Sequence, residues 1–406
     1  MTIDNITNNR WLLPQGIEEA LPAQAARLET LRRKLLDMYA SWGYQLVMPP
    51  MIEFLDSLLT GTGHDLDLQT FKLIDQLTGQ SLGVRADMTP QVARIDAHQM
   101  KSGDAPNRLC YVGTVLHTLP DGFGSSRSPL QAGAELYGHD GIESDVEILC
   151  LMVETLKASG LETLSIDVGH VGIYRGLTQQ AGFNESQESA LFEMMQRKAI
   201  PEIQAFLAQQ SMDKKCADML NALPELHGDE ACLERSQKIF ASANSSVKDA
   251  LEYLQQVVNK FKQRVSDVDV HFDLSELRGY HYHTGMLFAA YTPGEGQEIA
   301  RGGRYDDIGK VFGRARPATG FSTDLKTLLN LTAASSNGAV NEAAGNATLN
   351  TILAPADGDA SLWALVRELR EQGKIVVQAL PGQQGSVQDM GCSKALKKIS
   401  GKWQVS

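Results

Sequence analysis

Cysteine is scarce in this chain, and none of it is paired. Cys110, Cys150, Cys216, Cys232 and Cys392 are odd in number and show no C-x-x-C spacing. That pattern excludes a disulfide framework and the common zinc motifs, and it fits buried or free thiols in a reducing cytoplasm. Long apolar runs are also missing. No stretch approaches the roughly 18 uninterrupted apolar residues of a membrane span, so none is expected. Met1-Thr2-Ile3-Asp4-Asn5 has no basic region followed by an apolar run, so no signal peptide is expected either. Positive charge is in deficit, with 37 Lys and Arg against 49 Asp and Glu, a formal net charge of -12. Phosphate neutralisation drives nucleic-acid affinity, so nucleic acid is not an expected partner. What is present is ordinary for a globular protein: 406 residues, 43% hydrophobic and 21% charged, enough for more than one domain.

Pro22 opens a helical pattern that places Leu28, Leu31, Leu35 and Met38 on one face, and Gly43 closes it. Tyr44 to Met48 reads as a strand stopped by Pro49-Pro50. Taken alone, this is an ordinary helix–strand pair. Gly61-Thr62-Gly63 reads as a turn. Thr70 to Asp75 and Gln80 to Arg85 suggest a hairpin turning at Gly79, followed by a helix from Pro90 towards Met100. Arg108 to Val115 and Leu130 to Tyr137 read as antiparallel strands around a polar loop, Asp121 to Ser128. Asp145 to Ser159 is an amphipathic helix and Leu164 to Val168 a strand. The block from about 173 to 264 is almost wholly helical. Strand alternation returns from Val268 to Leu274 and from Met286 to Tyr291. Thr332 to Ala347 reads as a linker, and Thr351 to Gln378 as a small βαβ unit. His281 and His283 fall on one face of an expected strand, but no third ligand stands at a metal-site spacing, so no metal is expected. Lys394, Lys397, Lys398 and Lys402 read as a solvated helix face, with RNA or a protein partner as alternatives.

Four stretches in order carry a resemblance: Val84-Arg85-Ala86-Asp87-Met88-Thr89, Gln131-Ala132-Gly133-Ala134-Glu135, Leu277-Arg278-Gly279-Tyr280-His281-Tyr282-His283, and Arg301-Gly302-Gly303-Arg304-Tyr305-Asp306-Asp307. Together they resemble the core of histidyl-tRNA synthetase. The resemblance implies an α+β fold: a class II aminoacyl-tRNA synthetase-like antiparallel sheet flanked by helices over residues 1–331. It also implies a helical insertion at about 173–264, a linker at 332–347, and a small C-terminal α/β domain at 348–406 that resembles a truncated anticodon-binding domain. The helix and strand ending at Pro49-Pro50 look like motif 1, the dimer interface of that family. Asp87 and Thr89 match the amino-acid-binding Glu and Thr of L-R-P-E-G-T. Gln131 and Glu135 match Q-x-G-x-E; residues i and i+4 of a strand share a face, so both are expected in one pocket. Arg278 is the expected partner of the ligand carboxylate and Tyr282 of its imidazole. His281 and His283 replace the Asp and second Tyr of R-G-L-D-Y-Y, and His283 retains a hydrogen-bonding ring.

The groups that activate an amino acid with ATP are replaced. The motif 2 arginine position holds His117, within Leu116-His117-Thr118-Leu119, and the motif 3 arginine position holds Thr327, with Lys326 one place away. Each lost preorganised charge contact costs on the order of several kcal/mol in a transition state. A pocket that binds but does not activate resembles the ATP phosphoribosyltransferase regulatory subunits, paralogues of histidyl-tRNA synthetase in histidine biosynthesis. That resemblance implies no catalysis by this chain alone, no cofactor and L-histidine as effector. It also implies a homodimer and a hetero-octamer with the short-form catalytic subunit. A true histidyl-tRNA synthetase, and a stand-alone histidine-binding or translation-control paralogue, are the alternatives.

Overall fold

The computed structural model describes residues 12–60, 64–100, 105–120, 126–280, 282–335 and 351–406. The chain divides into two compact units, Met1–Leu331 and Thr332–Ser406.

The first unit is built on a nine-stranded sheet. Its spatial order is Gln45–Leu46, Asn107–Thr114, Leu130–Tyr137, Ala318–Asp324, Ala300–Arg304, Met286–Tyr291, Ser165–His170, Asp269–Asp273 and His227–Gly228. Six of the eight pairings are antiparallel; the parallel ones are Gln45–Leu46 on Asn107–Thr114 and Ser165–His170 on Asp269–Asp273. Helix Pro22–Ser41 buries Leu28, Leu31, Leu35 and Tyr39, a stripe at helical spacing. It shares one core with helix Ile142–Ala158, which buries Ile148, Leu149, Met152 and Leu156, and with helix Ser245–Arg264. Each such large apolar side chain taken from water contributes about 1.5–3 kcal/mol. A smaller antiparallel sheet orders Ile52–Phe54, Ser81–Val84 and Phe71–Ile74, with Gly79 turning the expected hairpin at φ +72°. Helix Thr89–Gln99 then runs from that sheet.

The expected α+β class is the one observed, and the stretch from about 173 to 264 is helical apart from short connections and His227–Gly228. Three local expectations fail. Helix Leu325–Ser335 continues through the first residues assigned to the linker, because Leu328, Leu329 and Leu331 still pack on the core; residues 336–347 of that segment lie outside the described residues. The segment around His283 is a series of turns between strands Asp269–Asp273 and Met286–Tyr291, so no strand face is available to align it with His281, which lies outside the described residues. Gly61, Thr62 and Gly63 also lie outside them.

In the second unit, Thr351–Ala354, helix Ala360–Glu371 and Ile375–Gln378 form the expected βαβ unit with parallel strands. The third failure is here. The lysine-rich terminus is a hairpin, Lys394–Ile399 on Lys402–Val405, not a helix. Ser400 and Gly401, at φ +50° and +79°, supply the two positive-φ positions of a tight turn, and Leu396 and Trp403 pack against the unit's core.

Candidate functional site

Glu135 anchors the site. Strand Leu130–Tyr137 places it opposite Gly320 of strand Ala318–Asp324, and only 1% of it is exposed. A Cβ at position 320 would overlap Glu135 Oε2, so the sheet can hold this carboxyl only over a glycine. Tyr111 OH donates to Glu135 Oε1 at 2.9 Å, and Tyr305 OH donates to Oε2. Thr89 Oγ1 lies 3.0 Å from Tyr111 OH and extends the network to helix Thr89–Gln99. Burial, the largest influence, pushes the Glu135 carboxyl up to about 8, against the tyrosine hydrogen bonds that favour the charged form.

Asp87 stands on the turn before that helix. Its Oδ1 accepts from Thr89 N at 3.0 Å and from Gln131 Nε2 at 2.8 Å, while Gln131 Oε1 accepts from Met88 N at 3.0 Å. Gln131 thus clamps the Asp87 turn and does not line the cavity. It shares a strand face with Glu135, but four residues of strand span about 13 Å, too far for both to reach one small group.

The opposite wall is the turn-rich segment after Asp269–Asp273. Tyr282 stacks on Tyr305 with ring centroids 5.0 Å apart, and its hydroxyl is buried with no hydrogen-bond partner among the described residues. His283 Nδ1 lies 3.0 Å from Gly279 O, and burial lowers its ring to about 4, so it is neutral at physiological pH. Arg278 donates to Glu276 through Nε and Nη2, to Glu298 through Nη1 at 2.6 Å, and to Tyr291 OH at 2.8 Å. The guanidinium expected for a ligand carboxylate is therefore already paired with two protein carboxylates, one of them only two residues away in the same turn.

These groups border a cavity of about 610 Å³. Asp87, Thr89, Glu135, Arg278, Tyr282 and His283 all line it, so six of the seven sequence-derived residues are brought together. Helix Glu185–Gln196 of the insertion adds Phe192 and Gln196, and Tyr280 OH donates to Glu188 of the same helix. Sequence reasoning missed Tyr111, Tyr305, Gly320 and Phe192. Tyr305 stood within a motif stretch, and the usable signal for Gly320 was a glycine opposite a bulky polar residue on paired strands.

The two activation positions are occupied by groups already hydrogen-bonded within the protein. His117 is buried with Nε2 2.9 Å from Ala86 O. Thr327 Oγ1 donates to Asp324 Oδ2 at 2.9 Å, and Lys326 Nζ donates to Ser128 O at 2.6 Å. Neither position presents a guanidinium to a triphosphate. Among the described residues no group of three His, Cys, Asp or Glu side chains is placed to hold a metal ion, and no helix is long and apolar enough to cross a membrane.

Known proteins resemble this chain in sequence and fold. Residues 16–328 match the histidyl-tRNA synthetase family model, and residues 349–406 match the ATP phosphoribosyltransferase subunit HisZ C-terminal domain. The chain is 57% identical over 404 residues to an ATP phosphoribosyltransferase regulatory subunit of Thioalkalivibrio sulfidiphilus, covering 98% of this chain and 99% of the relative. It is 55% identical to the protein of that name from Methylococcus capsulatus, covering 98% and 96%. A crystal structure of an ATP phosphoribosyltransferase regulatory subunit/histidyl-tRNA synthetase from Bacillus halodurans superimposes with a TM-score of 0.81 at 25% identity, covering 94% of this chain and 96% of that one. Histidyl-tRNA synthetase from Nostoc shares the fold, with a TM-score of 0.73 at 17% identity over 96% of this chain and 91% of its own. A synthetase-like body and a HisZ-type C-terminal unit agree with these relatives: the chain belongs to the family of ATP phosphoribosyltransferase regulatory subunits, which regulate that enzyme and are not themselves catalytic.

Proposed function

We propose that the chain senses free L-histidine on behalf of a short catalytic subunit of ATP phosphoribosyltransferase. It activates that partner in the first step of histidine biosynthesis and lowers its activity when histidine fills the cavity beside Glu135. The observation that carries this reading is a contrast. Asp87, Thr89, Glu135, Tyr282 and His283 come together around one cavity, which suits an amino acid, while His117 and Thr327 stand at the positions that match the arginines of the synthetase motifs. Asp87 and Glu135 suit the ligand ammonium. Arg278, held at the cavity by Glu276 and Glu298, is the group for its carboxylate.

The same reading takes the chain as a homodimer within a hetero-octamer. Its support is a run of exposed apolar side chains that leads from the edge strand of the large sheet to the edge strand of the smaller one. Leu46, Met48, Met51, Ile52 and Phe54 are exposed, Met48 to 78%, within nine residues of chain next to the edge strand Gln45–Leu46. Contiguous exposed apolar surface of this kind marks an association face.

Titration calorimetry with L-histidine, followed by turnover assays of a short catalytic subunit mixed with this chain, tests the reading. The expected result is histidine binding by the isolated chain, higher partner turnover on mixing, and a fall in that turnover as histidine is added. Histidine-dependent exchange of pyrophosphate into ATP at synthetase rates would overturn it in favour of a true synthetase.

A further inference from the structure

His283 is a ring of the cavity wall with only one of its nitrogens used internally. Gly279 takes φ +68°, which turns its carbonyl back onto His283 Nδ1 at 3.0 Å. A carbonyl oxygen only accepts, so Nδ1 carries the proton. The ring is neutral, which leaves Nε2 as an unprotonated acceptor. No protein donor to Nε2 occurs among the described residues, and His283 lines the cavity.

The ring lies close over two glycines. A Cβ at Gly279 would come within 2.6 Å of Nδ1, and one at Gly303 within 2.7 Å of Cδ2 and 2.9 Å of Nε2. Two glycines thus leave a slot for one imidazole, and the Tyr282 ring meets it edge-on at 5.3 Å. Gly303 and Gly320 are directly paired across adjacent strands, so a side chain added at either would point to the same face of the sheet. His283 lies over the first and Glu135 over the second. A fixed acceptor and a carboxyl therefore sit side by side on one glycine floor, with the unpartnered Tyr282 hydroxyl beside them.

We infer that His283 is a specificity determinant for the ligand's side-chain ring: its Nε2 accepts a hydrogen bond from a ring N–H, so the site favours an amino acid whose ring carries that donor over an isosteric ring without it. A tyrosine hydroxyl, the group in the matching R-G-L-D-Y-Y position, both donates and accepts and does not impose this condition. The inference rests on the proposal that this cavity takes histidine, and it adds the direction of one hydrogen bond.

The experiment compares L-histidine with β-(thiazol-4-yl)-L-alanine, whose ring has nearly the same shape but sulfur in place of N–H. Calorimetric titrations use the full chain as wild type, His283→Phe and His283→Gln, each checked for folding by its thermal melt. Wild type should prefer histidine by about tenfold, the worth of one buried hydrogen bond. His283→Phe should lose that preference by weakening histidine alone, and His283→Gln, with an amide oxygen as acceptor, should recover part of it. A side chain with only a structural role would weaken both ligands by one factor. Equal affinities in wild type, or a preference unchanged in His283→Phe, overturn the inference. Should the Phe variant not fold, the wild-type comparison and His283→Gln still decide it. Failure of wild type to bind histidine, alone or with the catalytic partner, overturns the histidine reading itself and this inference with it.

Discussion

Glu135 sets the chemistry of the site at the scale of one residue. Burial raises its carboxyl to about 8, so the group holds its proton at neutral pH until a cationic partner arrives. If the ligand ammonium pairs with the charged form, binding releases that proton. Affinity for histidine then rises with pH towards 8 and falls again as the ligand ammonium loses its proton. At pH 7.5 the ligand imidazole is already mostly neutral, so calorimetry in buffers of different ionisation enthalpy isolates the Glu135 contribution. With a carboxyl near 8, roughly three-quarters of a proton should leave per histidine bound. Glu135→Gln should abolish the release; a release unchanged in that variant places the titrating group elsewhere. The glycine beneath it gives a second expectation. Gly320→Ala puts a methyl where Glu135 Oε2 lies, and overpacking of this kind costs about 1–3 kcal/mol. The variant should melt lower and bind histidine at least tenfold more weakly, whereas wild-type affinity in it would show that the carboxyl need not occupy that place.

The exposed strip beside Gln45–Leu46 yields the expectation at the scale of the element. Met48 and Phe54 are exposed, so replacing both by Asp removes little from the core while placing charge in the proposed two-fold face. Light scattering should show a dimer for wild type and a shift towards monomer for Met48→Asp/Phe54→Asp. A wild-type monomer, or an unaffected dimer in the variant, removes this face from the assembly. The same elements show what the sequence discloses. Helix Pro22–Ser41 was legible because its apolar spacing and its first-turn proline agree with its buried stripe. The hairpin Lys394–Ile399 and Lys402–Val405 was not. Its lysines suit a helix face equally well, and only the positive φ at Ser400 and Gly401 decides for a turn. Motif spacing gathered the cavity residues, but a shared strand face did not put Gln131 beside Glu135, because facing the same way says nothing of the distance along the strand. Tyr111 carries no motif of its own, and Tyr305 stood in a motif stretch without an assigned role; Tyr111 takes its place through register, which sets it opposite Gly133. The carboxylates that hold Arg278 were illegible for the same reason, since Glu298 meets it from a separate segment.

For the whole molecule, if histidine inhibits through this cavity, it must bind differently to the active and inhibited states of the complex. Linkage makes this reciprocal: substrates that favour the active state should weaken histidine binding by the factor by which histidine weakens theirs. Helix Glu185–Gln196 is placed to take part, because Phe192 and Gln196 line the cavity and Glu188 accepts from Tyr280 of the ligand wall. Turnover of the catalytic subunit against histidine concentration, in complexes made with wild type and with Glu135→Ala and each normalised to its own histidine-free rate, tests the central claim most directly. Loss of a charge-assisted contact worth about 1.5–3 kcal/mol should move the inhibition curve ten- to a hundredfold towards higher histidine. Superimposable curves from two fully assembled complexes would contradict the account and place inhibition outside this cavity.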